Sequence, residues 1–207
     1  ISVIPNGAET VPKTQKPVDL SVDYIVYFGA LQPWQGLDVL LKSLRYLKDY
    51  QNLKLVICSS VKEKATKPYH KLIENLGIQD QVIFRYELEK DALYTIIQHA
   101  KASIAPLKFG DRNVVQGCCP IKILESMACK TSIIAAELPV TKELLTEDEA
   151  YFFWPEDELD LSRCIRFVLD NPESANEKAE NAFNRFQQQF TWNHHNEKLQ
   201  KVYQNLM

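Results

Sequence analysis

Glycine is scarce in this sequence, with six in 207 residues, so each one marks a turn. The stretch "GALQPWQG" does not supply a G-x-G-x-x-G fingerprint. A dinucleotide-dependent oxidoreductase, which needs that fingerprint between its first strand and helix, therefore has no support. A basic excess is also lacking: 24 Lys and Arg stand against 27 Asp and Glu, for a net charge of -3. That balance argues against nucleic acid as a partner. No apolar run approaches the roughly 18 residues of a membrane span, and the first residues lack the three regions of a signal peptide. The five cysteines form neither CxxC nor Cys/His metal spacing, and adjacent Cys118 and Cys119 suit neither an ordinary disulfide nor a zinc clamp. The expectation is reduced thiols in a cytoplasmic protein, with no metal and no resident cofactor.

What is present is regular. A chain of this length buries a good core in one large domain or slightly more. "YIVYFGAL" is a continuous apolar run suited to a strand buried on both faces. Leu37, Leu40, Leu41, Leu44 and Leu47 then follow helical spacing. The alternation continues through strands "LKLVICSS", "QVIFRYEL", "ASIAPL", "TSIIAA" and "AYFFW", separated by helical segments such as "YHKLIENLGI" and "EKDALYTIIQHA". After Asp157 the pattern is helical only, broken at Asn171-Pro172. Alternating strand and helix predicts an α/β fold, a Rossmann-like and mostly parallel sheet flanked by helices, with a C-terminal helical tail. The boundaries expected are an incoming short strand ("SVIPNG") and connector over 1–22, a sheet domain over 23–170, and a helical segment over 171–207 packing on it. Phe183, Phe186, Phe190 and Trp192 are expected to face the core, and His194 and His195 to be solvated or packing residues.

In such sheets the ligand lies at the carboxyl ends of the strands. The loop there that stands out is "KFGDRNVVQGCC", Lys108 to Cys119. It is well beyond the roughly 2 to 6 residues usual for a strand-to-helix connection, and no structure of its own is expected in it. It delivers the chain to Pro120, expected as the first helical position. Lys122 then sits in the first turn, where the positive end of the helix dipole disfavours a cation by a few tenths to about 1 kcal/mol. An anion docked at the same place and shared with Arg112 resolves the conflict. Glu125, on the same face three residues on, is placed to accept from ribose hydroxyls. A nucleoside diphosphate meets both requirements. The plainer reading of the pair is an exposed ion pair worth a few tenths of a kcal/mol.

The ordered set "VIPNG", "YFGALQPWQGLDVLLKSL", "LVICSS", "LGIQDQVIFRYELEKDALYTIIQHAKASIAP" and "CCPIKILESMACKTSIIAAELPVTKELL" resembles the second half of the retaining glycosyltransferases known as glycosyl transferases group 1. The resemblance covers nearly the whole chain. It implies the GT-B fold, two Rossmann-like domains facing a cleft, with this chain as the C-terminal, donor-binding half. The partners implied are a nucleotide-sugar and an N-terminal acceptor-binding domain preceding Ile1, through which alone any membrane association would occur. The chain by itself would turn over little or nothing. The family's ribose-binding glutamate, second of a Glu-x7-Glu motif, falls on Glu125; the first, which contacts the donor sugar, falls on Gly117. The phosphate-binding Arg and Lys fall on Ala30 and Gln35, and a glycine-rich turn is replaced by Ser59 and Ser60.

These departures make Arg112 and Lys122 the expected cationic groups on the diphosphate, and hence the catalytic pair, helped by the backbone of Gly117, Cys118 and Cys119. Asp111, Asn113 or Gln116 is assigned to the sugar. Gly29, ending the first strand, and Tyr86, at a place where the family often has glycine near the base, complete the donor set. The reaction implied transfers the sugar with retention, usually without a metal, the leaving phosphate taking the acceptor proton. The rival reading is a non-catalytic Rossmann-like interaction domain whose nucleotide site has decayed, supported by the losses at Ala30, Gln35 and Gly117.

Overall fold

The structure, a computed structural model, describes residues 3–205. Six strands form one sheet: β1 (Tyr24–Gly29), β2 (Lys54–Ser59), β3 (Val82–Tyr86), β4 (Ser103–Ala105), β5 (Ile133–Ala136) and β6 (Tyr151–Phe153). Every pairing is parallel and the spatial order is β3-β2-β1-β4-β5-β6. The six strands expected from the sequence between Tyr24 and Phe153 are all present. β1 is buried on both faces until Gly29, which is why it reads as an unbroken apolar run instead of alternating.

The helices are α1 (Leu37–Ser43), α2 (Lys67–Leu76), α3 (Lys90–Gln98), α4 (Asp111–Val114), α5 (Ile121–Ala128), α6 (Pro139–Lys142), α7 (Glu158–Asp170), α8 (Pro172–Gln189) and α9 (Trp192–Gln204). The leucine stripe of α1 is buried throughout and continues past Ser43 as a 3-10 turn. One face of the sheet carries the cluster of Leu37, Leu40, Ile73, Leu161 and Ile165 from α1, α2 and α7. The opposite face packs Tyr94 and Ile97 of α3 against β1 and β2, and Ile123, Met127 and Phe186 of α5 and α8 against β5. Asp157 caps α7 by accepting from the N–H groups of Leu159 and Asp160, each at 2.9 Å, and Gly77 closes α2 in the left-handed region.

Four local expectations are corrected. The incoming "SVIPNG" segment is no strand over residues 3–7 (Ser2 lies outside the described residues); only Ala8 pairs, in a single bridge with Thr191 at the α8–α9 corner. Pro5 has no N–H to give a ladder, which interrupts any run of donors there. The Lys108–Cys119 loop is not structureless but contains the helical turn α4. Pro120 is the residue before α5, its ψ of 93° lying outside helix geometry, so the helix begins at Ile121. Trp192 does not face the core: it is 42% exposed, with its ring edge-on to His195, whereas Phe186 and Phe190 are buried.

Candidate functional site

The crossover reverses at β1, whose neighbours β2 and β4 send their chains to opposite faces of the sheet. The crevice at the carboxyl ends of β1 and β4 is thus the expected ligand position. Its walls are the β1–α1 loop and the β4–α5 loop, and these are tied together. Lys108 N–H donates to the Trp34 carbonyl at 3.0 Å. The Asn113 amide donates to the carbonyls of Trp34 at 3.1 Å and Lys108 at 2.8 Å. The Lys108 ammonium pairs with Asp38 at 2.8 Å. Gly36, at a φ of 72°, lets the two loops meet: a Cβ there would lie 1.7 Å from the Pro106 carbonyl oxygen.

Two adjoining cavities open here, of about 340 and about 380 Å³, and both are lined by Phe28, Gly29 and Glu125. The first adds Ala30, Gln35, Arg112, Cys118, Cys119 and Lys122; the second adds Cys58, Ser59, Ser60, Glu87, Leu88 and Leu93. A larger opening of about 670 Å³ lies at the amino end of the sheet, around Asp49, Lys101, Lys130 and Ser132. The carboxyl-edge crevice is the stronger candidate because the sheet topology selects it and because a charged side chain waits there without a partner.

That side chain is Lys122. It is 8% exposed, and its Nζ is buried with no hydrogen-bond partner. Its nearest aromatic neighbour is the ring of Tyr27, whose centre is 4.3 Å away. Burial pulls its pKa down to about 7, against the opposing pull of Glu125. The environment is written into β1 and α5. Tyr27 is a wholly buried strand residue whose hydroxyl donates to the Ala30 carbonyl at 2.7 Å, and Gly29 leaves room for the lysine stem, 4.0 Å from where a Cβ would be.

Glu125 is half-buried one turn along α5 and accepts from the Tyr94 hydroxyl at 3.3 Å. Desolvation raises its pKa, while the Tyr94 hydrogen bond, Lys90 and Lys122 hold it down. Burial also raises the thiols of Cys118 and Cys119, so neither is an activated nucleophile.

The anticipated residues are thus distributed unevenly. Gly29, Arg112, Asn113, Cys118, Cys119, Lys122 and Glu125 come together around the first cavity. Asn113 is 1% exposed and its amide donors are engaged by backbone, so it braces the loop from below. Arg112 is exposed and donates to the Gly117 carbonyl at 3.3 Å. Asp111, Gln116 and Gly117 are exposed on the loop outside the lining of either cavity. Tyr86 is directed elsewhere: its hydroxyl meets Thr66 at 3.2 Å and His70 at 3.1 Å, and its ring stacks on Phe84. Sequence reasoning missed Tyr27, Tyr94 and Glu87; for the two tyrosines the available signal was a hydroxyl on an otherwise apolar strand or helix face, which must find a partner when buried, and Glu87 carried no such signal. Among the described residues no group of three His, Cys, Asp or Glu is arranged to hold a metal, and no helix is long and apolar enough to cross a membrane.

With this geometry in hand, the architecture is that of the Rossmann-like C-terminal domain of a GT-B glycosyltransferase. The model of the family described as glycosyl transferases group 1 matches residues 12–185, and the chain belongs to that family. It is similar to the O-antigen chain mannosyltransferase RfbU of Salmonella typhimurium, 25% identical over 174 residues, which are 84% of this chain and 46% of that protein. Among solved structures it resembles a sucrose-phosphate synthase from Thermosynechococcus elongatus, with a TM-score of 0.81, 18% identity, and coverage of 98% of this chain and 52% of that one. It also resembles Anabaena HepE, solved in complex with UDP and glucose, with a TM-score of 0.76, 17% identity, and coverage of 91% and 50%. The chain therefore spans about half the length of each of these proteins.

Proposed function

We propose that this chain binds the nucleoside-diphosphate end of a sugar donor and forms the donor half of a retaining glycosyltransferase of the hexosyl-transferring kind. The observation that carries the reading is the buried, unpartnered Lys122 Nζ at the start of α5, one turn before a glutamate shared by two cavities. The diphosphate lies in the first cavity, against Lys122, Arg112 and the backbone of Gly117 to Cys119. The ribose lies at Glu125, where the cavities join, and the base in the second. Asp111 and Gln116 reach the sugar from the loop, with Asn113 fixing the loop's position. As the nucleoside diphosphate departs, negative charge grows on its phosphates, and a cation already oriented in a water-poor site meets it without reorganisation.

An acceptor-binding domain from another part of the protein closes over this crevice and is required for turnover. All five cysteines are free thiols, which fits the proposed cytoplasmic location. The alternative, a non-catalytic interaction domain, is disfavoured by two polar atoms buried in the same cavity with no partner, Lys122 Nζ and Gln35 Oε1. A site no longer in use has no reason to keep such costs. Calorimetric titration of uridine, guanosine and adenosine diphosphates into this chain tests the reading. Saturable binding of at least one is expected; no binding by any at millimolar concentration, with the fold intact, overturns it.

A further inference from the structure

The second cavity holds a carboxylate that the ribose does not need. Glu125 lies at the junction of the two cavities, but Glu87 lines only the second, whose other walls include Phe28, Cys58, Leu88 and Leu93. Glu87 follows β3 directly and is held in an uncommon conformation. Its φ is 47°, and its N–H donates to the Ser59 carbonyl at 3.0 Å, so its backbone is locked to the end of β2. Few side chains other than Asn, Asp and Gly adopt that region comfortably, and a glutamate kept there is a local strain that needs a reason. Among the described residues no ion pair engages its carboxylate. A slot with Phe28, Leu88 and Leu93 in its walls beside Ser59, Ser60 and two carboxylates, Glu125 and the exposed Glu87, is a site for a flat ring that presents hydrogen-bond donors.

The nucleobases differ sharply in this respect. Guanine offers two adjacent donors on one edge, the ring N1–H and the exocyclic amino group, which match the two oxygens of a carboxylate. Uracil offers one ring N–H between two carbonyl oxygens, and both carbonyls would be repelled. Adenine places its amino group next to a bare ring nitrogen, so only one carboxylate oxygen can be satisfied. We infer that Glu87 selects a guanine nucleotide, so that the donor of this enzyme is a guanosine-diphosphate sugar. The inference rests on the donor-site reading above and narrows it.

Calorimetric titration of guanosine, uridine and adenosine diphosphates into the 207-residue chain, repeated with Glu87→Gln and Glu87→Gly, tests it. The glycine variant relieves the positive φ and is expected to melt no lower than the parent. Guanosine diphosphate should bind more tightly than the other two by about tenfold or more, as expected for a pair of charge-assisted hydrogen bonds, and the preference should vanish in both variants. Equal affinities, or tighter uridine diphosphate, would overturn the guanine assignment and leave the donor site standing. A guanine preference that survives in Glu87→Gly would remove Glu87 as its source. Failure of all three nucleotides to bind would overturn the donor site itself.

Discussion

Lys122 Nζ stands over the face of Tyr27, 4.3 Å from the ring centre, inside the protein and without a hydrogen-bond acceptor. A lysine in that position works against folding. Its pKa falls to about 7 in the folded chain from an ordinary value of 10.5, so between those values the unfolded chain binds more protons and stability rises with pH. At neutral pH the destabilisation amounts to roughly 4 kcal/mol at most. Lys122→Met, which keeps the stem and removes the charge, is therefore expected to raise the melting temperature by several degrees at pH 7. The same variant should lose diphosphate binding. Thermal melts of both proteins at pH 7 and pH 9 check this; a variant melting at or below the parent at pH 7 would show that the ammonium is not a burden.

A docked diphosphate changes the balance, because an opposite charge close by favours the protonated lysine. Starting from about 7, the lysine should take up a proton as ligand binds, most strongly near pH 8. Affinity then falls as pH rises above neutrality. Calorimetry in buffers of differing ionisation enthalpy reads this directly: the observed heat should vary with the buffer in the sense of uptake, approaching one proton. Heats independent of the buffer would mean that the diphosphate does not meet Lys122.

Asn113 and Arg112 are sequence neighbours with different expected roles. Asn113 is itself buried and ties the two loops together by donating to a backbone carbonyl on each, Trp34 and Lys108. Asn113→Ala should lose about 1–3 kcal/mol in urea denaturation, because the Lys108 carbonyl loses this donor, the Trp34 carbonyl keeps only the Lys108 N–H, and the loop loosens. Arg112 is exposed, and its side chain's one hydrogen bond among the described residues is to the Gly117 carbonyl. Arg112→Ala should change stability by less than about 0.5 kcal/mol while weakening diphosphate binding severalfold. The reverse pattern would exchange the assignments.

The contrast shows what was legible beforehand. Strands buried on both faces announce themselves as apolar runs, and the leucine spacing of α1 reports its buried stripe, so the layered sheet follows from local pattern. The pairing of Lys122 and Glu125 also follows, because helical spacing is local. Which polar loop residue turns inward is not local. Asn113 is buried because the β1–α1 loop, some eighty residues earlier, brings the Trp34 carbonyl against it, and nothing in "DRNVVQG" encodes that meeting. The family resemblance puts Tyr86 near the base, yet its hydroxyl pairs with Thr66 and His70 across the β2–α2 connection. Trp192 carries a helical apolar spacing but lies at the α8–α9 corner, where no layer remains to cover it.

Glu125 separates ligand binding from support of the fold. Its only hydrogen-bond partner among the described side chains is the Tyr94 hydroxyl, at a long 3.3 Å. Glu125→Ala should therefore shift stability by no more than about 1 kcal/mol, since a weak bond is lost and a desolvated carboxylate is removed with it. Nucleoside-diphosphate affinity should fall about tenfold, the effect of losing a charged acceptor for ribose hydroxyls. A loss of stability as large as the loss in binding energy would make the residue a structural one.

Gly36 and Gly77 test whether the crevice depends on close backbone approach. Both have positive φ, 72° and 64°, so alanine is strained at either. At Gly77 a Cβ would meet nothing within 4 Å, and Gly77→Ala should cost about 1 kcal/mol from backbone strain alone. At Gly36 the same Cβ would lie 1.7 Å from a backbone carbonyl oxygen of Pro106, which cannot rotate aside as a side chain can. Gly36→Ala must push the β1–α1 loop off the β4–α5 loop. It is expected to cost more than about 3 kcal/mol in urea denaturation, well beyond the range of ordinary substitutions. Any variant that still folds should bind nucleotide poorly, because Gln35 and Lys122 would no longer face one cavity. Equal effects at the two glycines would mean that the loops are free to separate and that the crevice is not held by their contact.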